Sequence, residues 1–152
     1  LIAEGASSLP ITDPGMTRFW ISLQQGVDFV LANFQRMQGG EIFIPKIPSV
    51  RIMDLAEALA PGMPTHVIGI RPGEKLHEVM CPADDSHLTY EFEDHYVIAP
   101  TIRFHSLESD FGHNRRGEIG ALVPKGFEDN SGGNPHFLTV EETRAFTAPA
   151  AY

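Results

Sequence analysis

Seven apolar side chains, Trp20, Leu23, Val27, Val30, Leu31, Phe34 and Met37, recur at spacings of three and four residues. That period places them on one stripe of an amphipathic helix. Gln24, Gln25, Asp28 and Gln35 fall on the polar face. Thr17 is the expected N-cap, and Gly39-Gly40 the expected end. If part of this stripe faces something the chain does not itself supply, it will form an exposed patch.

The rest of the pattern is short strands alternating with short helices. Residues 41–44 read as a strand closed by Pro45. Ser49 or Arg51 leads into a second helix with Ile52, Leu55, Ala56 and Leu59 on its inner face, stopped by Pro61-Gly62. Residues 67–70 form another strand, and residues 74–80 suit a turn or two of helix. Residues 88–92 and 96–98 pair as strands across a turn at Glu93-Asp94-His95. A last helix runs over 140–146, with Thr139 as N-cap and Glu142 completing a capping box. The expected fold class is α/β, as the smaller lobe of a larger enzyme rather than a complete doubly wound sheet. Residues 1–106 form the patterned lobe. Residues 107–152 form a polar extension with a loop at 130–135 and the helix near 139–146.

The chain has 152 residues, enough for one domain with a core. Its net charge of −9 argues against a general nucleic-acid or anionic-membrane surface. Cys81 is the single cysteine, which excludes an internal disulfide and a cysteine metal cage and fits a cytoplasmic location. No apolar run reaches the length of a membrane span. The opening Leu1-Ile2-Ala3-Glu4-Gly5 has neither an initiating Met nor a basic targeting region, and reads as the interior of a longer protein.

The chemistry concentrates at Arg71-Pro72-Gly73-Glu74, reached from the apolar run 67–70. Arginine offers a permanently charged fork to phosphate oxygens. Proline fixes φ, and glycine permits a tight turn or close backbone approach. Glutamate accepts hydrogen bonds and suits a sugar diol. The same four residues also suit a plain surface turn. Arg18 falls where the long helix is expected to begin, and free N–H groups at a helix start favour an anion. A solvated or ion-paired Arg18 is the competing reading. His77, His87, His95 and His105 lack metal-ligand spacing and read as surface or turn residues. Asp84-Asp85 and Glu91, Glu93 and Asp94 lack the spacing of a calcium loop. Phe34, Phe43, Trp20 and Tyr90 read as core. No Gly-x-Gly-x-x-Gly turn follows a strand, and no Tyr is followed by Lys four positions on.

Five segments carry a resemblance: residues 9–13 (LPITD), 16–21 (MTRFWI), 40–46 (GEIFIPK), 70–78 (IRPGEKLHE) and 88–96 (LTYEFEDHY). Together they resemble the C-terminal part of inverting UDP-N-acetylglucosamine 4,6-dehydratases. These belong to the extended short-chain dehydrogenase/reductase family and serve cell-surface polysaccharide and pseudaminic acid synthesis. The similarity covers about residues 2–104, and residues 137–142 (FLTVEE) also look like that family's end. Residues 145–152 depart from it.

The resemblance implies a substrate-binding lobe of a Rossmann-fold lyase. Arg18 and Arg71 match positions facing the diphosphate, and Glu74 the position near the uridine ribose. It implies UDP-N-acetylglucosamine or a related UDP-sugar as partner and a homo-oligomer for the full-length enzyme. NADP or NAD would be bound by an N-terminal domain, with no cofactor and no catalytic residue expected on these 152 residues. A nucleotide-sugar epimerase or retaining dehydratase would use the same Arg-Pro-Gly-Glu turn. A non-catalytic interaction module is the reading from another class.

Overall fold

The computed structural model describes residues 5–102 and 110–147, and the chain is α/β. The boundary expected near residue 106, His105 and residues 148–152 lie outside the described residues. In chain order the elements are β1 (Leu9–Ile11), β2 (Thr17–Phe19), α1 (Leu23–Arg36), β3 (Ile42–Pro45), β4 (Ser49–Arg51) and α2 (Ile52–Leu59). Then follow β5 (Thr65–Val67), β6 (Val79–Cys81), a 3-10 helix (Ala83–Leu88), β7 (Thr89–Glu91), β8 (His95–Ile98), β9 (Ala121–Leu122), β10 (Asp129–Asn130) and α3 (Val140–Thr147).

Contacts divide the described residues into two compact units. The first draws on residues 5–20, 47–78 and 131–147; the second on 21–46, 79–102 and 110–130.

In the first unit β1 pairs with β5 in parallel, Leu9 opposite Thr65 and Ile11 opposite Val67. β2 pairs with β4 antiparallel, Arg18 opposite Val50. β4 runs directly into α2, which packs on α3. Ala56 and Ala58 are the buried residues of α2, and Leu59 is exposed. Of the expected inner face, Ala56 is buried and Ile52 and Leu55 are half-buried, whereas Leu59 turns outward and Ala58 takes the inner position, its small side chain letting the neighbouring helix approach closely. Arg51 stands at the N-cap of α2 without a side-chain cap bond, and Ser49 lies within β4. The capping box of α3 forms as read: Glu142 N–H donates to Thr139 Oγ1 at 3.2 Å, and Thr139 N–H to Glu142 Oε2 at 2.8 Å.

In the second unit the sheet order is β3-β8-β7-β9, antiparallel throughout. The expected hairpin is present, with Glu91 opposite Tyr96, but His95 belongs to β8 rather than to the turn. Ile44, Cys81 and Ile98 form a core cluster packed by Met80, Leu88, Tyr96 and Phe127. Lys46 ties the hairpin by donating to Glu91 Oε1 at 2.7 Å and to the Phe92 carbonyl at 2.6 Å.

α1 begins at Leu23 because Ser22 caps it: Ser22 Oγ accepts Gln25 N–H at 3.1 Å, and Gln25 Oε1 accepts Ser22 N–H at 3.0 Å. Thr17 is therefore not the cap. It lies in a strand with Arg18 and Phe19. The helix is also turned opposite to expectation. Its buried residues are Asn33 and Arg36, whereas Phe34 is 65% and Leu23 87% exposed. Val27, Val30 and Leu31 are exposed too, and a shallow groove of about 500 Å³ runs along Ile21, Leu23, Val27 and Leu31. Ion pairing at Arg36 decides which face turns inward within this unit.

Candidate functional site

The Arg71–Glu74 turn closes on itself. Glu74 N–H donates to the Arg71 carbonyl at 3.0 Å, and Arg71 N–H donates to Glu74 Oε2 at 3.1 Å. Gly73 sits at φ +85°, a conformation that disfavours a Cβ, so the glycine is required by the backbone. Glu74 thus clasps the turn and also lies 3.9 Å from the Arg71 guanidinium. The Arg71 side chain is 68% exposed, leaving most of its donors to solvent. Residues 74–80 do not form the expected helix. They run as an irregular segment into β6, and β5 is confined to Thr65–Val67.

Arg18 does not stand at a helix start, so the backbone anion hole inferred there is absent. It projects from β2 and is largely committed. Nη1 donates to the Thr17 carbonyl at 2.6 Å and to the Leu76 carbonyl at 3.3 Å, and Nε lies 3.8 Å from Glu78 Oε1. Phe19 N–H donates to the other Glu78 oxygen at 2.9 Å. Arg18 is therefore held against the segment that leaves the Arg71–Glu74 turn.

Sequence reasoning missed the hydroxyls beneath that segment. Thr17 Oγ1 lies 2.8 Å from His77 Nδ1 and 2.7 Å from Ser131 Oγ. Glu78 N–H donates to Ser131 Oγ at 2.9 Å, and Ser131 N–H to the Glu78 carbonyl at 2.8 Å. Ser131 and Thr17 are buried. The span 130–135, read as a loop or linker, begins in β10 and then locks into the first unit. No local signal could have shown this, because the partners are more than fifty residues apart in sequence.

The second unit holds a different polar cluster. Arg36 Nη2 donates to Asp94 Oδ2 at 2.8 Å and Nε to Glu118 Oε2 at 3.0 Å. His95 is completely buried, contrary to the surface reading, with Nδ1 2.7 Å from Asp94 Oδ1. An ionised carboxylate only accepts, so Nδ1 carries the proton and Nε2 is left buried without a partner. Burial pushes the His95 imidazole below its ordinary range and outweighs the upward pull of the Asp94 hydrogen bond. Burial raises Asp94, but hydrogen bonds from His95 and Arg36 prevail and hold it below the usual carboxylate value. Arg36 lines a hollow of about 480 Å³ with Phe92, Glu93, Asp94, Glu118 and Ile119, yet its fork is spent on the two carboxylates. The cluster is an internal ion network rather than an anion site.

Among the described residues no group of His, Cys, Asp and Glu could hold a metal ion, and no helix is long and apolar enough to cross a membrane. Neither α1 nor α2 opens from a strand through a glycine turn, so these residues do not fit a dinucleotide pyrophosphate.

Residues 1–100 match the family described as polysaccharide biosynthesis protein. Over 142 residues the chain is 60% identical to a UDP-N-acetylglucosamine 4,6-dehydratase (inverting) of Campylobacter jejuni, covering 93% of this chain and 42% of that relative. It is 38% identical over 94 residues to a UDP-glucose 4-epimerase of Rickettsia canadensis, covering 59% of this chain and 28% of the other. The X-ray structure of Pen from Bacillus thuringiensis superposes with a TM-score of 0.71 at 24% identity, over 93% of this chain and 41% of that one. That last likeness bears on the fold alone. The chain spans about two fifths of the length of the dehydratase it matches.

Proposed function

The chain belongs to the polysaccharide biosynthesis protein family, and from that premise we propose that it is the UDP-sugar-binding lobe of an inverting UDP-N-acetylglucosamine 4,6-dehydratase. The observation that carries this reading is the Arg71–Glu74 turn. It presents an exposed guanidinium from a backbone clasped by its own glutamate. A fork carried on a preset backbone suits a diphosphate, because the turn need not be ordered on binding and the guanidinium donors are open to the ligand. Glu74 Oε1 faces Arg71 and can exchange that contact for a ribose hydroxyl. Arg18 takes part when its Nη1 donor leaves the Leu76 carbonyl for a phosphate oxygen.

The reaction and NADP or NAD binding then belong to the portion of the enzyme that this chain does not span. The chain carries neither a Tyr-x-x-x-Lys pair nor a glycine fingerprint. The exposed stripe of α1 supports this, since it is a ready surface for further protein. A UDP-sugar epimerase is the second reading, favoured by the 38% identity to UDP-glucose 4-epimerase.

The test is calorimetric titration of the chain with UDP. Saturable binding weakened about tenfold or more in Arg71→Ala is expected, the scale of one lost charge-assisted contact. Binding unchanged in both Arg18→Ala and Arg71→Ala sinks the proposal. Incubation with NADP and UDP-N-acetylglucosamine should give no 4-keto-6-deoxy product.

A further inference from the structure

Leu76, His77 and Glu78, which follow the Arg71–Glu74 turn, are each bonded to the first unit's other segments. The Leu76 carbonyl accepts Thr17 N–H at 3.0 Å and Arg18 Nη1 at 3.3 Å. His77 Nδ1 meets Thr17 Oγ1, while the Glu78 N–H donates to Ser131 Oγ and the Glu78 carbonyl accepts the Ser131 N–H. The three side chains form a continuous row, Ser131 Oγ to Thr17 Oγ1 to His77 Nδ1, with spacings of 2.7 and 2.8 Å. Ser131 Oγ accepts the Glu78 N–H, so its own proton is free for Thr17, and Thr17 passes its proton toward His77. The row is satisfied with His77 as the Nε2–H tautomer, an assignment made from the bond network.

Gly132 closes the arrangement by its lack of a side chain. A Cβ there would fall 2.6 Å from His77 Nδ1 and 2.7 Å from its Cγ. Its φ is not in the left-handed region, so the glycine is demanded by space rather than by backbone conformation.

We propose that Ser131, Thr17 and His77, with Gly132, form a latch by which the C-terminal segment fixes the Arg71–Glu74 turn for UDP binding. The ligand in this inference rests on the reading given above; the latch itself does not. These are positioning residues. None is placed against the ligand, and each acts through the segment 76–78 that anchors the turn. The region after residue 130 thereby acquires a role in recognition.

Three measurements on the 152-residue chain test it. The first is amide hydrogen exchange over residues 71–78, with no ligand. Thr17→Val and Ser131→Ala should each accelerate exchange there about tenfold or more, whereas Thr17→Ser, which keeps the hydroxyl, should restore the slow rate. The second is UDP affinity at a temperature where every variant is folded. Thr17→Val and Gly132→Ala should bind about tenfold more weakly, the scale of one lost buried hydrogen bond, and Thr17→Ser should bind as the parent does. Imidazole nitrogen shifts should show His77 as the Nε2–H tautomer in the parent and lose that bias in Thr17→Val. Unchanged exchange over 71–78 in both hydroxyl deletions overturns the latch. Accelerated exchange with undiminished UDP affinity overturns its role in recognition. A parent chain that binds no UDP defeats the functional reading, while the exchange data still decide the latch.

Discussion

The imidazole of His95 lies flat on the phenyl ring of Phe92, with centroids 4.6 Å apart and planes within 7°. Phe43 and Phe29 close the remaining sides at 5.7 and 6.4 Å. A neutral ring suits that cage, and a charged one does not.

Acid should therefore weaken the second unit in two stages. The folded value of His95 lies below its ordinary 6.5. As pH falls past about 6.5 the unfolded chain takes a proton that the folded chain refuses, and stability declines. One such group contributes a slope of at most about 1.4 kcal/mol per pH unit. Asp94 adds a later loss, since its lowered value makes its contribution disappear at still lower pH. Melting temperature measured from pH 8 to pH 5 should respond less favourably to acid in the parent chain than in His95→Phe, in which only the other groups titrate. Equal slopes would show that His95 is not the sensor.

Arg36→Met should destabilise the chain by about 2–3 kcal/mol, read from urea unfolding. The loss leaves the Asp94 and Glu118 carboxylates facing each other without a cation. It stays below the full cost of breaking a deeply buried pair, because Asp94 is 54% exposed. Arg36→Lys should recover only part, since one ammonium cannot reach both carboxylates with the geometry of a fork. A variant as stable as the parent would remove the network as the reason why α1 turns its polar side inward.

Phe34, Leu31 and Val30 lie together on the exposed face of α1. The parent chain should self-associate at micromolar concentration, and Phe34→Glu should shift it toward monomer without lowering its melting temperature. Light scattering that finds a monodisperse parent would count against this.

Asp129 works in the opposite sense to His95. Burial pushes its carboxyl up to about 6. Between its ordinary 3.8 and that raised value the unfolded chain ionises while the folded chain stays protonated, so stability is lost as pH rises through that window. Asp129→Asn should raise the melting temperature at pH 7.5 and leave it nearly unchanged at pH 4. A uniform shift at both values would indicate packing rather than charge.

The elements that could be read from sequence were those with local causes. The hairpin of β7 and β8 has its alternating residues and its turn within ten positions. The capping box of α3 needs only Thr139 and Glu142. The Arg71–Glu74 turn follows from proline, glycine and a glutamate at the right spacing. What failed had distant causes. Thr17 reads as a cap in sequence because its strand partner, Arg51, lies 34 residues away. Ser131 resembled linker because the Glu78 amide that fills its oxygen is 53 residues upstream. The face that α1 buries is not legible in its stripe, because Arg36 finds Asp94 and Glu118 only in three dimensions, 58 and 82 residues further on. Arg18 kept its proximity to the turn region but lost the helix dipole that was meant to accompany it.

The outward stripe of α1 also sets a calorimetric signature. Heat capacity on unfolding comes mainly from apolar surface newly wetted, typically about 12–15 cal/mol/K per residue. Leu23, Val27, Val30, Leu31 and Phe34 are wet before the chain unfolds. A fourteen-residue helix can then melt with little increment from its own stripe. The stability curve of this chain should be flatter than its length suggests, with cold unfolding displaced to lower temperature.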